Sequence, residues 1–229
     1  MKVTFLGHAC TLVEAGGKRV IIDPFLKGNP QATVSPAEVD VDAVLITHGH
    51  GDHVGDAVEI AKRNDCTIIA NFEIAEYLEA KHGVKAHGMH IGGAHQFEFG
   101  RVKLTQAFHG SGIELGNGEF MYGGQPAGIL LTMDGKTFYH AGDTGLFGDM
   151  KLIGELNAVD IAALPIGDNY TMGPDDALLA ARWINAGVTF PIHYNTLPLI
   201  AQDADAWVER LQAHDLNGKV LKPNQSIQV

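Results

Sequence analysis

The sequence contains few cysteines. Only Cys10 and Cys66 occur among 229 residues. Two cysteines in a chain of this length do not form the disulfide framework that staples small secreted domains. The sequence therefore predicts a protein of a reducing compartment whose stability does not depend on disulfide bonds.

Long apolar runs and a signal-peptide core are also missing. The first residues, Met1–Gly7, run straight into a strand pattern, and no apolar run approaches the length of about 20 residues that crosses a bilayer. We therefore expect a cytoplasmic protein that makes no membrane contact.

Basic residues are a minority and do not cluster. Sixteen Lys and Arg stand against 27 Asp and Glu, which gives a formal charge of −11. Such a surface repels a phosphate backbone. The charge predicts that the chain does not bind nucleic acid and that its partner is a small molecule.

Low-complexity segments and proline-rich linkers, the usual marks of a domain boundary, are absent too. Apolar residues make up 45% of the chain and charged residues 19%, which is enough material for a buried core. The sequence predicts one domain over residues 1–229, and it leaves assembly into a homo-oligomer open.

What the sequence does contain is a series of short β-rich runs with helical patterns between them. This order predicts an α/β fold of two sheets face to face with helices outside. The glycine-rich stretch Gly110–Gly128 predicts a long loop. Strand patterns are Lys2–Leu6, Thr11–Glu14, Arg19–Ile22, Val41–Thr47, Thr67–Ala70, Gln96–Phe99, Val102–Phe108, Gly128–Met133, Thr137–His140, Asp160–Leu164 and Val188–Ile192; helical patterns are Val54–Arg63, Asn71–His82, Pro174–Asn185 and Asp203–His214.

The strongest motif is Thr47–His53, where three imidazoles and a carboxylate follow a strand pattern. Imidazole nitrogen and carboxylate oxygen bind zinc and other divalent transition metals, and glycine between them lets the backbone turn tightly. The alternative is a histidine-rich surface turn, because 12 histidines in the chain make chance adjacency less rare. The candidate ligands are His48, His50, Asp52 and His53.

Two metal ions need more than four ligands, and three later residues also close a strand pattern. These are His109, Asp143 and His193. Together the seven residues predict one metal held by His48, His50 and His109, a second held by Asp52, His53 and His193, and Asp143 as a bridge between them.

The motif His-x-His-x-Asp-His followed by a separate His, Asp and His resembles that of the metallo-β-lactamase superfamily, and all seven positions match in order. The resemblance implies the four-layer αββα sandwich of that superfamily. The segments Gly7–Ala9, Gly167–Gly173 and Pro191–Thr196 are similar to a bacterial and archaeal family of metal-dependent hydrolases related to the ascorbate-6-phosphate lactonases.

Further residues are candidates for supporting roles. Asp23 is expected to accept a hydrogen bond from a metal-binding imidazole, because such rings donate the N–H that does not face the metal to an acceptor. His8 either faces the site or is a hydrogen-bonded structural residue. Asp168, Asn169 and Tyr170 are predicted substrate contacts, with turn formation as the alternative role, and Asn195 is a further predicted substrate contact.

This ligand set predicts a hydrolase. Two divalent ions about 3.5–4 Å apart, zinc first and manganese or iron as alternatives, produce a bridging hydroxide that attacks a lactone, ester, amide or phosphoester. Asp52 is the predicted catalytic residue, because it can orient the hydroxide and accept its proton.

Three other functions are alternatives to a small-molecule hydrolase. A metal-dependent nuclease or phosphodiesterase is the main alternative, and the acidic composition disfavours it. A redox di-iron protein resembling the flavodi-iron proteins would carry a carboxylate at His50. A structural zinc site needs only four ligands.

Overall fold

Two β-sheets packed face to face, with helices on both outer faces, make up the fold. The computed structural model describes residues 1–229. This arrangement confirms the four-layer αββα sandwich predicted from the sequence.

Fifteen strands build the sheets. In chain order they are β1 (Lys2–Gly7), β2 (Cys10–Ala15), β3 (Lys18–Ile22), β4 (Ala43–Leu45), β5 (Thr67–Asn71), β6 (Ala86–Met89), β7 (Ala94–Phe97), β8 (Gly100–Gln106), β9 (Gly112–Gly116), β10 (Glu119–Tyr122), β11 (Ala127–Met133), β12 (Lys136–His140), β13 (Ile161–Pro165), β14 (Val188–Ile192) and β15 (Ser226–Gln228). The first sheet has the order β15-β1-β2-β3-β4-β5-β6 and the second β14-β13-β12-β11-β8-β7, while β9 and β10 form a separate hairpin.

Alternation of side chains along the strands separates the layers. In β3, Val20 and Ile22 point into the core between the sheets, whereas Ile21 packs under the helices of the first sheet. In β12, Phe138 lies between the sheets and Tyr139 packs under the helices of the second. This period of two is what a pleated strand buried on both faces requires.

Six helices cover the sheets: α1 (Gly51–Val54), α2 (Ala57–Asn64), α3 (Phe72–His82), α4 (Met150–Leu156), α5 (Pro174–Ile184) and α6 (Ala204–Gln212). Buried residues of α2 and α3 pack on the first sheet, and those of α4, α5 and α6 pack on the second. Side-chain caps fix two helix starts, since Asn71 accepts from Ile74 N and Asp203 from Ala206 N. None of these helices combines the length and apolar character needed to span a bilayer.

Strand direction decides where functional groups meet. β1, β3, β4 and β5 of the first sheet run the same way, as do β8, β12, β13 and β14 of the second. At the end of β1 and of β14 the sheets are joined, because His193 N donates to the carbonyl of His8 at 2.7 Å. The carboxyl ends of all eight strands therefore share one edge of the sandwich.

The stretch Gly110–Gly128 is not the long loop that its glycines predicted. It contains the hairpin of β9 and β10, which turns at Asn117 and Gly118 with positive φ at both residues. Asn-Gly is the dipeptide that two-residue hairpins favour, and the buried Ile113 anchors the hairpin to the core of the first sheet.

Other elements also differ from the sequence patterns, among them β4 and α4. The strand pattern Val41–Thr47 is paired as a strand only over Ala43–Leu45, because the chain turns at Thr47 to enter the histidine motif. Helix α4 has no counterpart among the predicted helices. Its Gly154 is required by a close approach to α5, since a Cβ there would lie 2.2 Å from the carbonyl oxygen of Trp183.

Candidate metal centre

The predicted metal-binding residues all lie at the shared edge of the two sheets. Each one follows the carboxyl end of a strand or stands on the short helix α1 behind it, so residues far apart in sequence meet there. The structure brings together His48, His50, Asp52, His53, His109, Asp143 and His193.

The loop between β4 and α1 is shaped by contacts on both sides. Asp23 fixes its start by accepting from the backbone N and the Oγ1 of Thr47, at 2.8 and 2.7 Å. Further along, Gly49 N donates to Ser111 Oγ at 3.1 Å, and a Cβ at Gly49 would lie 2.8 Å from the carbonyl oxygen of Ser111. Only glycine fits there, so the motif is held in one shape.

One group of possible ligands consists of three imidazoles. His48, His50 and His109 each offer a ring nitrogen, and these atoms lie within 4.8 Å of one another. His48 Nε2 is 3.0 Å from His50 Nδ1. These are the three residues that the sequence predicted to bind the same metal.

A second group joins Asp52, His53 and His193 with His8, again with ligand atoms within 4.8 Å. Asp52 Oδ2 lies 3.9 Å from the Nε2 atoms of both His53 and His193, and 3.0 Å from that of His8. The predicted trio is thus assembled, and His8 is added to it.

Asp143 lies between the two groups. Its Oδ2 is 3.0 Å from His193 Nε2 and 3.3 Å from His53 Nε2 on one side, and 3.5 Å from His109 Nε2 and 4.0 Å from His48 Nε2 on the other. The carboxylate is buried. No other acidic side chain in the chain lies within 4.0 Å of imidazoles from both groups.

Asp23 lies behind the second group. Its Oδ2 is 2.7 Å from His53 Nδ1, and it belongs to none of the possible ligand groups. This bond fixes the orientation of the ring and leaves His53 Nε2 facing Asp143. The position matches the supporting role predicted for Asp23.

Burial lowers the pKa of His48, His50 and His109, so these rings are neutral near pH 7. Neutral imidazole is the form that binds metals. Burial also acts to lower the pKa of His53, but the carboxylates of Asp143 and Asp23 outweigh burial and raise that pKa well above its usual value. These carboxylates therefore favour a positive charge at His53.

Both carboxylates of the site stay ionised. Burial raises the pKa of Asp52, but the hydrogen bond with His8 and the charge of His53 outweigh it and hold that pKa well below its usual range. Burial also raises the pKa of Asp143, and His193 and His53 more than reverse the effect. Ionised carboxylates and neutral imidazoles together form the donor set of a divalent transition metal.

Unpartnered buried atoms test whether a metal fits. His53 Nε2 and Asp143 Oδ1 are buried without a hydrogen-bond partner, although His53 Nε2 lies 3.3 Å from Asp143 Oδ2. A buried polar atom left unpaired costs about 1–3 kcal/mol, and both residues belong to the possible ligand groups. Metal coordination would satisfy them, so the residues fit divalent metal ions.

Known proteins have sequences and folds similar to those of this chain. Residues 18–194 match the family described as a beta-lactamase superfamily domain. A UPF0173 metal-dependent hydrolase of Bacillus cereus is 58% identical over 228 residues, covering 99% of both chains. The chain belongs to this family of metal-dependent hydrolases.

Solved structures agree. Igni18, a metallo hydrolase from the archaeon Ignicoccus hospitalis, has a TM-score of 0.89 and 36% identity, covering 99% of this chain and 97% of its own. An isothiocyanate hydrolase from Delia radicum gut bacteria has a TM-score of 0.78 at 21% identity, covering 100% and 99% of the two chains. The second likeness concerns the fold alone.

In this member of the family, the site opens into a cavity of about 270 Å³. Besides candidate metal ligands, its lining includes the large side chains of Tyr170 and Leu197. Of the predicted substrate contacts, Tyr170 lines the cavity and His8 lies next to it, bonded to Asp52.

Three other predicted contacts are engaged in turns and do not line the cavity. Asp168 accepts from Asn169 N at 2.9 Å, and both residues have positive φ. Asn195 donates to the carbonyl of Gln202 and accepts from its N–H. Substrate binding by these three residues stays a prediction.

Sequence reasoning missed two polar contacts of the site. Thr196 Oγ1 lies 2.6 Å from His8 Nδ1, and Ser111 Oγ supports Gly49. Thr196 stands only three residues after His193, which was a usable signal. Ser111 stands in the segment that was predicted to be a loop, and nothing in its surroundings marks it.

Proposed function

We propose that this metal-dependent hydrolase holds two divalent metal ions and uses water to cut a lactone, ester, amide or phosphoester bond in a small molecule. Zinc is the first candidate, with manganese or iron as alternatives, since the ligands are all nitrogen and oxygen. The observation that carries the proposal is the position of Asp143 Oδ2, which faces imidazoles of both groups at 3.0–4.0 Å.

In this proposal His48, His50 and His109 hold one ion, Asp52, His53 and His193 hold the other, and Asp143 bridges them. When bound, two such ions supply a water that ionises near neutral pH and a Lewis acid that polarises the bond under attack. No further charged side chain is needed for either effect.

The cavity supports water as the nucleophile, because its walls offer no serine, threonine, cysteine or lysine. Ser111 Oγ is occupied, since it donates to the carbonyl of Gly123 and accepts from Gly49 N. Both cysteines are buried elsewhere, in the core of the first sheet. A covalent intermediate on a serine, threonine, cysteine or lysine side chain is therefore disfavoured.

Asp52 is suited to orient that water. His8 binds Asp52 Oδ2 at 3.0 Å, and this is the carboxylate's one hydrogen bond within the chain. The side chain is 37% exposed and lines the cavity, and Oδ1 makes no hydrogen bond within the chain. An ionised carboxylate in this position accepts a hydrogen bond, and then a proton, from the water.

His8 is held in place from both sides, by Asp52 at Nε2 and by Thr196 at Nδ1. Because Asp52 stays ionised, His8 Nε2 must donate to it, and Nδ1 accepts from the Thr196 hydroxyl when the ring is neutral. His8 thereby fixes which oxygen of Asp52 faces the cavity.

The test is hydrolysis by protein reconstituted separately with zinc, manganese and iron, against a panel of lactones, esters, amides and phosphoesters. We expect turnover of at least one class, its loss on chelation and its return when metal is restored. Turnover that survives complete removal of metal would contradict the proposal.

A further inference from the structure

Two cavities meet at His109. The first is the metal cavity, and the second, of about 380 Å³, also includes His109 in its lining, together with Phe108, Pro126, Gln106 and Gln125. A substrate whose reacting bond lies at the candidate metal ligands therefore contacts the lining of one or both cavities.

The walls carry no cationic side chain. Neither lysine nor arginine lines either cavity. Proteins that select phosphoryl groups commonly use arginine forks or lysines to neutralise their oxygens. Away from the metals nothing here would do so, and the nearby Asp52 would repel added negative charge.

What the walls do carry is exposed apolar surface. Tyr170 is 49% exposed, Leu197 52% and Phe108 59%, and each stands on a different loop at the site edge, after β13, β14 and β8. Tyr170 and Leu197 meet solvent at the metal cavity and Phe108 at the adjoining one, and large apolar side chains grouped in this way mark a binding surface rather than scattered exposure.

We propose that the substrate is an uncharged carboxylic ester, lactone or amide with an aryl or alkyl group next to the reacting bond, and that Tyr170 and Leu197 bind this group. The inference rests on the proposed function and narrows its substrate class. The acyl C–O or C–N bond breaks, the oxygen of water joins the acyl carbon, and the protons of water end on the acid and on the leaving alcohol or amine.

The first arm of the test compares substrates with one leaving group, using metal-loaded protein. p-Nitrophenyl butyrate is the uncharged ester, and p-nitrophenyl phosphate and bis-p-nitrophenyl phosphate are the anionic counterparts. We expect the butyrate to have the highest kcat/KM. Faster turnover of either phosphate would overturn this inference and leave the metal-dependent hydrolase intact.

The second arm does not depend on turnover. Calorimetry of the metal-loaded protein with acetohydroxamic and benzohydroxamic acids compares ligands that share a metal-binding group and differ in apolar size. We expect benzohydroxamate to bind about tenfold more tightly, and the Tyr170→Ala and Leu197→Ala variants to lose that preference. Equal affinities, or no binding of either to protein that retains its metals, would overturn the proposal.

A matched control is available on α4. Leu156 is 74% exposed and lines neither cavity. Leu156→Ala should keep the full preference for benzohydroxamate and for the butyrate. If Leu156→Ala reduced the preference as much as Leu197→Ala, the effect would be general and the assigned wall would be wrong.

Discussion

Asp143 offers the sharpest test of how the site is organised. Replacing it by asparagine keeps the shape and removes the charge of a buried carboxylate whose Oδ2 faces four imidazoles. The distance from that oxygen to His109 Nε2, 3.5 Å, sets the scale for a cation held among these rings. At that separation a unit positive charge is attracted to the carboxylate by about 5 kcal/mol at an effective dielectric constant of about 20.

Because about 1.4 kcal/mol corresponds to tenfold, Asp143→Asn should weaken metal binding by about a thousandfold and reduce hydrolysis to near background. Both metals should be affected, since the carboxylate faces both groups. His109→Ala should chiefly weaken one metal, because His109 belongs to one group only.

The assay is metal content by elemental analysis after equilibration with zinc and desalting, together with turnover. Circular dichroism of the metal-free variants checks that they fold. Asp168→Asn is the matched control, because it makes the same chemical change at an exposed carboxylate in a turn outside the cavity. An Asp143→Asn protein that kept both metals and normal turnover, or an Asp168→Asn protein that lost its metals, would refute this assignment.

Asp23, the two cysteines and the net charge give three more predictions. Asp23→Asn should weaken metal binding by about 10- to 100-fold with the fold retained, because it removes the carboxylate that orients His53; metal titration with unchanged affinity would contradict this. The thiols of Cys10 and Cys66 should resist a thiol reagent at pH 8 in the native protein, because burial raises the pKa of Cys10 well above its usual value and that of Cys66 to about 11. A reducing agent should leave Tm unchanged. Prompt labelling of either thiol, or a lower Tm under reduction, would count against this prediction. Fluorescence anisotropy should detect no salt-sensitive, submicromolar binding of RNA or DNA, because the charge is −11; such binding would favour the nuclease alternative.

Residue type and position at strand ends were enough to predict the main parts of the site. His109, Asp143 and His193 could be paired with the motif at His48 because each ends a strand pattern, and strands that run the same way bring their ends to one edge. The order of these residues matches the metallo-β-lactamase superfamily, which also fixed the sandwich.

Other features were missed because a competing local signal or a tertiary contact decides them. The hairpin of β9 and β10 was missed because glycine density outweighed the Asn117-Gly118 turn signal, and α4 because Gly154 lowers helix propensity while a neighbouring helix requires it. The partner of His8 at Thr196 is set by tertiary packing across 188 positions of sequence.

The proposed site holds two metal ions in one chain, bridged by Asp143. Elemental analysis of natively expressed protein, repeated after reconstitution with zinc, manganese or iron, is the decisive measurement. We expect about two transition-metal ions per chain. Protein that retains no metal under any of these conditions, while folded as judged by circular dichroism, would contradict it.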